Sequence, residues 1–173
     1  TAVNEWTSNK NDALNTYGPI ADWDTSKVEN MSGLFLGKNT FNDNISKWNT
    51  GMVTDMSGMF QDCTAFNQPI SFDTKEVTDM NGMFQGCTDF NQYVSFDTNK
   101  VTDMNRMFQG CSNFNQYVYF DTIEAVENMS GMFQGCTVFN QDISDWNTNQ
   151  VTNMSAMFHG CTDFNQDVSE WHT

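Results

Sequence analysis

The chain has 173 residues with 22 acidic and 7 basic side chains, a formal net charge of -15 and a pI near 4.1. That charge argues against binding to a phosphate backbone or an anionic membrane surface, and no apolar run approaches the ~20 residues of a membrane span. The length suits one domain, and 14% aromatic against 17% charged residues excludes a disordered acidic tail.

Residues 1–22 differ in pattern from the rest of the chain. Ala2, Val3, Trp6, Ala13 and Leu14 fit an amphipathic helix that caps the N-terminal end, and Tyr17-Gly18-Pro19-Ile20 leads out of it. From residue 23 to 173 the chain reads as six repeats of 24–26 residues and the start of a seventh. Large aromatics open each one at Trp23, Trp48, Phe72, Phe96, Phe120, Trp146 and Trp171. A second aromatic column is Phe35, Phe60, Phe84, Phe108, Phe133 and Phe158; a third is Phe41, Phe66, Phe90, Phe114, Phe139 and Phe164. All five cysteines share one position, and eleven of the twelve methionines share two.

A unit of this length cannot bury its apolar side alone, so the copies are expected to stack as a solenoid in which identical side chains form ladders. Within one repeat, Val101, Met104, Met107, Phe108 and Cys111 have the spacing of one helical face. Gly110 would end that helix, and Asp97 with Thr98, or Thr102, would cap its start. Val94 and Phe96 alternate with Tyr93, Ser95 and Asp97, which predicts a short strand with one face inward. Each coil is thus expected to hold one short parallel strand and a helix of about two turns. In the Trp-led repeats an extra residue (Lys47, Asp145, Glu170) marks a small bulge.

The columns carry little chemistry. The Cys column reads as buried small-hydrophobe thiols, because five is odd and the side chains would run parallel. The Asn column (Asn42, Asn67, Asn91, Asn115, Asn140, Asn165) reads as a ladder that satisfies backbone groups from coil to coil. Two acidic columns, Asp24, Asp73, Asp97 and Asp121 in one and Asp55, Asp79 and Asp103 in the other, fit a solvated face or carboxylates bridged by calcium. The Thr column runs Thr25, Thr50, Thr74, Thr98, Thr122 and Thr148. His159 and His172 have no partners that would form a triad, and no glycine-rich phosphate loop occurs, so an enzyme is not expected.

The repeat, in copies such as WNTGMVTDMSGMFQDCTAFNQPIS and WNTNQVTNMSAMFHGCTDFNQDVSE, resembles the BspA-like leucine-rich-repeat surface proteins. The likeness is to the variant repeat of mycoplasma lipoproteins and of marine microbes and algae, and it covers residues 23 to 171. Lys38 and Leu34 depart from it in the first repeat, and Tyr93 and Tyr117 depart from it in the third and fourth. The resemblance implies a leucine-rich-repeat-like α/β solenoid that is secreted or surface-displayed and serves in adhesion or macromolecular binding, without enzymatic activity.

Two surfaces are singled out. Core columns must stay constant for coils to stack, so specialisation falls on outward strand positions, where Tyr93, Tyr117 and Tyr119 replace smaller residues. These three form the expected binding site for an extracellular protein or glycan. At the other candidate, Phe164, Val168 and Trp171 end their ladders in this sequence, which predicts contact through the C-terminal end when the chain is alone, or continuation into further repeats. The rival function is therefore a structural element that assembles end to end into a fibre or surface layer.

Overall fold

A computed structural model describes residues 1–120 and 124–171. The expected N-terminal helix is two: α1 spans Ala2–Ser8 and α2 spans Lys10–Tyr17, followed by a single 3-10 turn at Ile20–Asp22. Asn9 makes the break. Its N–H donates to the Glu5 carbonyl at 2.7 Å, and its side chain caps α2 by accepting from the Asp12 N–H at 3.4 Å. Gly18, at φ +73°, ends α2. Val3, Trp6 and Ala13 are buried as expected, but Leu14 faces solvent.

The repeats lie one on the next. Residues 24 or 25 apart pair as parallel bridges along Asn30, Asp55, Asp79, Asp103, Asn128 and Asn153. The rings follow the same rise. Phe35, Phe60, Phe84, Phe108 and Phe133 stack at centroid distances of 5.4, 5.5, 5.6 and 5.6 Å, and the planes are within 6° of parallel. The column from Phe41 to Phe164 runs beside it and touches it within each repeat, for example at 4.2 Å between Phe60 and Phe66. Val101, Met104, Met107, Phe108 and Cys111 are all fully buried.

These residues point inward as the periodicity requires, yet they do not form the expected helix. The segment from Met104 to Cys111 is a run of overlapping turns. The N–H groups of Met107, Gln109 and Cys111 donate three residues back, while those of Met104, Arg106, Phe108 and Gly110 donate to carbonyls of Asn128, Ser130, Met132 and Gln134 in the next repeat. The cause is backbone handedness. Arg106 and Gly110 sit at φ +56° and +75°, and their counterparts in the other repeats are also left-handed. A right-handed helix cannot contain such residues, whereas a turn with positive φ at its third position requires them.

The expected strand forms in the third and fourth repeats, as β1 (Val94–Phe96) and β2 (Val118–Phe120). They pair in parallel with Val94 opposite Val118, Ser95 opposite Tyr119 and Phe96 opposite Phe120. In repeats one, five and six the same place is a tight turn. There the side chain of Asn44, Asp142 or Asp167 accepts the N–H two residues on, and the Trp48, Trp146 or Trp171 N–H donates three residues back. The extra residue of the Trp-led repeats is spent in this turn. Tyr93 and Tyr117 lack the acceptor that closes it, so their segments stay extended.

Handedness gives a test. Arg106 is a non-glycine residue in a column otherwise filled by glycine and Ala156, and such strain costs on the order of 1 kcal/mol or more. Arg106→Gly is expected to raise the urea midpoint at unchanged m-value. Gly110→Ala meets no hard contact, its Cβ lying 3.7 Å from the Gly86 Cα, and is expected to lower stability by about 1 kcal/mol through strain alone.

Candidate interaction surfaces

The tyrosine surface is built on β1 and β2. Alternation sends Val94, Phe96, Val118 and Phe120 into the core and the residues between them outward. Tyr93, Tyr117 and Tyr119 are exposed by 54%, 37% and 43%, the first two side by side on neighbouring repeats and the third across from Ser95. Asp142 and Asp145 of the fifth repeat form the rim. Desolvation and then the charges of Asp145 and Asp142 hold the Tyr117 hydroxyl above its usual range, with a hydrogen bond to Asp145 acting the same way.

The acidic columns have a local structural task. Asp24, Asp55, Asp73, Asp79, Asp97 and Asp103 each accept the backbone N–H two residues on, at 2.7–3.3 Å. Asn30, Asn49, Asn128, Asn147 and Asn153 do the same in the other repeats, which is why Asp and Asn interchange there. Three stacked carboxylates remain, Asp55, Asp79 and Asp103. Asn30 donates to the first at 3.2 Å and Asn128 to the last at 3.3 Å. Among the described residues no group of three His, Cys, Asp or Glu is arranged to hold a metal ion. Asp121, Thr122 and His172 lie outside the described residues.

The remaining columns bond from repeat to repeat. Each Asn side-chain oxygen, from Asn42 to Asn140, accepts the backbone N–H of the next Asn at 2.9–3.0 Å, so the expected ladder is present. Thr25, Thr50 and Thr74 do not cap a helix; their hydroxyls donate to carbonyls of the following repeat at 2.9 Å. The cysteines are free thiols, and each donates to the carbonyl of a Phe one repeat back, at 2.9–3.0 Å. Burial pushes the Cys63 thiol up to about 12 and the others upward as well.

Residues 4–117 and 92–173 match the family described as Mycoplasma protein of unknown function, DUF285. The chain belongs to this family. No curated protein and no solved structure matches it.

In the sixth repeat of this DUF285 chain the ladders are less covered than in the fifth. Phe158, Phe164 and Val168 are only half-buried, whereas their counterparts Phe133, Phe139 and Ile143 are fully buried. Trp171 differs from expectation: it is buried, stacked on Trp146 at 6.1 Å, and its Nε1 donates to the Ile143 carbonyl. Met154, Met157, Phe158, Val168 and Trp171 line an apolar hollow of about 380 Å³ at this end. The orientation of the backbone groups is not legible in the sequence. The N–H groups of Met154, Ala156, Phe158 and Gly160, whose equivalents in every earlier repeat are bonded forward, have no acceptor among the described residues.

Two outcomes follow from the ladders. Burial, reinforced by Asp103 and Asp55, raises the Asp79 carboxyl above its ordinary 3.8 despite the Asn81 N–H. A carboxyl raised in the folded state stabilises when protonated, and that contribution is lost as pH rises from the ordinary value through the folded one. Asp79→Asn keeps the turn acceptor, so it is expected to melt higher than the parent at pH 7, with the difference vanishing below pH ~3.8. Thiol titration of the native protein is expected to leave Cys63, Cys87, Cys111 and Cys136 unreactive and to label half-buried Cys161 first, with all five reacting in denaturant.

Proposed function

We propose that this protein is a non-enzymatic, secreted or cell-surface binding module of the BspA-like kind, its repeats wound as a leucine-rich-repeat-like solenoid. Its partner is an extracellular protein or glycan held on the outer face of the third and fourth repeats. The observation that carries this reading is the trio Tyr93, Tyr117 and Tyr119, exposed on the paired strands and set beside Asp142 and Asp145. Tyrosine offers a rigid apolar ring with a polar tip at low conformational cost, and strands fixed by a packed core present it without reordering. The carboxylate rim supplies acceptors for sugar hydroxyls or for a basic side chain. Neither nucleic acid nor membrane insertion fits, given the charge of -15 and the lack, among the described residues, of a helix long and apolar enough to cross a membrane.

A triple variant, Tyr93→Ser, Tyr117→Ser and Tyr119→Ser, tests it. Loss of two or more hot-spot contacts is expected to weaken binding to cell-surface ligands or arrayed glycans by at least about 30-fold, with the melting curve still cooperative. A basic protein partner would show affinity that falls steeply with salt; a neutral glycan would not. Binding retained at full strength by the folded variant would remove the site from this face. The second reading, end-to-end assembly, is favoured by one observation, the half-buried edges of Phe158, Phe164 and Val168.

A further inference from the structure

A column whose backbone favours glycine carries a cation in the fourth repeat. Gly33, Gly58, Gly82 and Gly131 sit at φ +57° to +61°, and Arg106 and Ala156 adopt the same left-handed backbone at φ +56°. A side chain is held there at a cost. Arg106 is the one arginine of the chain, and it is exposed. Among the described residues its guanidinium makes no ion pair, although Lys10, Lys47, Lys75 and Lys100 all do.

Its surroundings are neutral. The columns of Ser130, Gly131 and Gln134 hold no acidic residue in any of the six repeats, in a chain that has 22. Asp103, the carboxylate nearest to Arg106 in sequence, is engaged elsewhere: its Oδ1 accepts the Asn105 N–H at 2.7 Å and its Oδ2 the Asn128 amide at 3.3 Å. The Arg106 stem lies along the stack over the fifth repeat, because Gly131 leaves room for it. A Cβ on Gly131 would stand 3.5 Å from the Arg106 Cγ and 3.3 Å from the Gln134 Oε1.

Arg106, Ser130, Gly131, Gln134, Ser155 and Ala156 line a hollow of about 130 Å³. A ladder of amides enters it. Gln85 donates to Gln109 at 2.8 Å and Gln109 to Gln134 at 2.6 Å, where the ladder stops, since the next residue of the column is His159. The Gln134 Nε2 has no acceptor among the described residues. The Ser130 and Ser155 hydroxyls donate to the Asn128 and Asn153 side chains, each at 2.8 Å, and keep their lone pairs free. The hollow thus offers a guanidinium and an amide as donors beside two hydroxyl oxygens as acceptors. The ligand that matches carries a carboxylate next to hydroxyl groups. An acidic side chain has the first without the second, and a neutral sugar the reverse. In the first three repeats the same columns form a hollow of about 250 Å³ that contains no cation.

We propose that this hollow is a second binding site, and that its ligand is a uronic acid residue of a glycan. Arg106 and Gln134 hold the carboxylate, and Ser130 and Ser155 accept from the sugar hydroxyls. Arginine suits the first task because two parallel N–H donors match the two carboxylate oxygens. The strain at Arg106 is then stability given up for the site. A net charge of -15 repels an extended polyanion at long range, so the site reads a single uronate set among neutral sugars. It uses other columns than the tyrosine surface and does not rest on that reading.

The experiment titrates the isotope-labelled protein with two oligosaccharides that differ only at one terminal residue, glucuronic acid in one and glucose in the other, and follows the amide signals by NMR. The parent is expected to bind the uronate at least about tenfold more tightly than the neutral sugar, as a charge-assisted pair gives, with shifts centred on Arg106, Gly131 and Gln134. Arg106→Gly is expected to lose that preference while its urea midpoint rises, so a folding defect does not imitate the result. Arg106→Lys keeps only part of it, since an ammonium has no fork, and the Tyr93→Ser, Tyr117→Ser, Tyr119→Ser variant keeps all of it. A parent without preference, or an Arg106→Gly variant that retains it, overturns the site. Shifts centred on Tyr93 and Tyr117 move the glycan to the tyrosine face and overturn it equally. An acidic peptide of the same charge that binds as tightly as the uronate overturns the sugar as ligand.

Discussion

Everything else in this structure depends on a row of four backbone hydrogen bonds, repeated in one direction between each repeat and the next. To make the row, alternate peptide planes of each turn run must stand along the stack. That orientation forces left-handed backbone at two positions four residues apart, which explains the glycine columns and the few residues that stand in for glycine. It also sets a rise at which phenylalanine rings meet at 5.4–5.6 Å, so backbone bonding and ring stacking reinforce one another. Each bond contributes only about 1 kcal/mol net, but none can be lost from an inner junction without stranding a buried donor.

Side-chain chemistry extends this bonding around the rest of the repeat. Threonine hydroxyls, asparagine amides and cysteine thiols all bridge to backbone groups one repeat away. Their polar atoms are thereby satisfied in or near the core. The outer positions carry no such duty, and the acidic residues among them serve mainly to close turns within their own repeat. This division leaves the exposed strand positions free to vary, and the tyrosines fall there.

Much of this is legible in the residues, and the failures have physical reasons. Spacing alone identifies the inward set Val101, Met104, Met107, Phe108 and Cys111, but three-residue turns bury side chains with nearly the same period as a helix. A signal against the helix is present: Gly82 stands in the middle of the apolar run of its repeat and Gly86 four residues on, where a helix interior would lose about 1 kcal/mol. The exchange of Asp for Asn, with Ser, Gly or Asn two residues on, spells out the side-chain-capped turns, whereas attention to charge alone hides them. Tyr93, Tyr117 and Tyr119 face outward as expected, since strand alternation leaves no other choice. Asn9 divides the N-terminal helix because it caps α2 more readily than it continues α1. The direction of the four bonds between repeats has no residue-type signature beyond glycine, so only the structure reveals it.

Amide hydrogen exchange in the parent protein at monomeric concentration tests the primacy of the junctions most directly. If bonds between repeats carry the structure, the N–H groups of Met129, Gly131, Phe133 and Gly135 are slow. Those of Met154, Ala156, Phe158 and Gly160 then exchange at unprotected rates, interleaved with Met157, His159 and Cys161, which keep their bonds within the repeat. Uniform protection through residues 154–161, as a self-contained helix in each repeat would give, would contradict it.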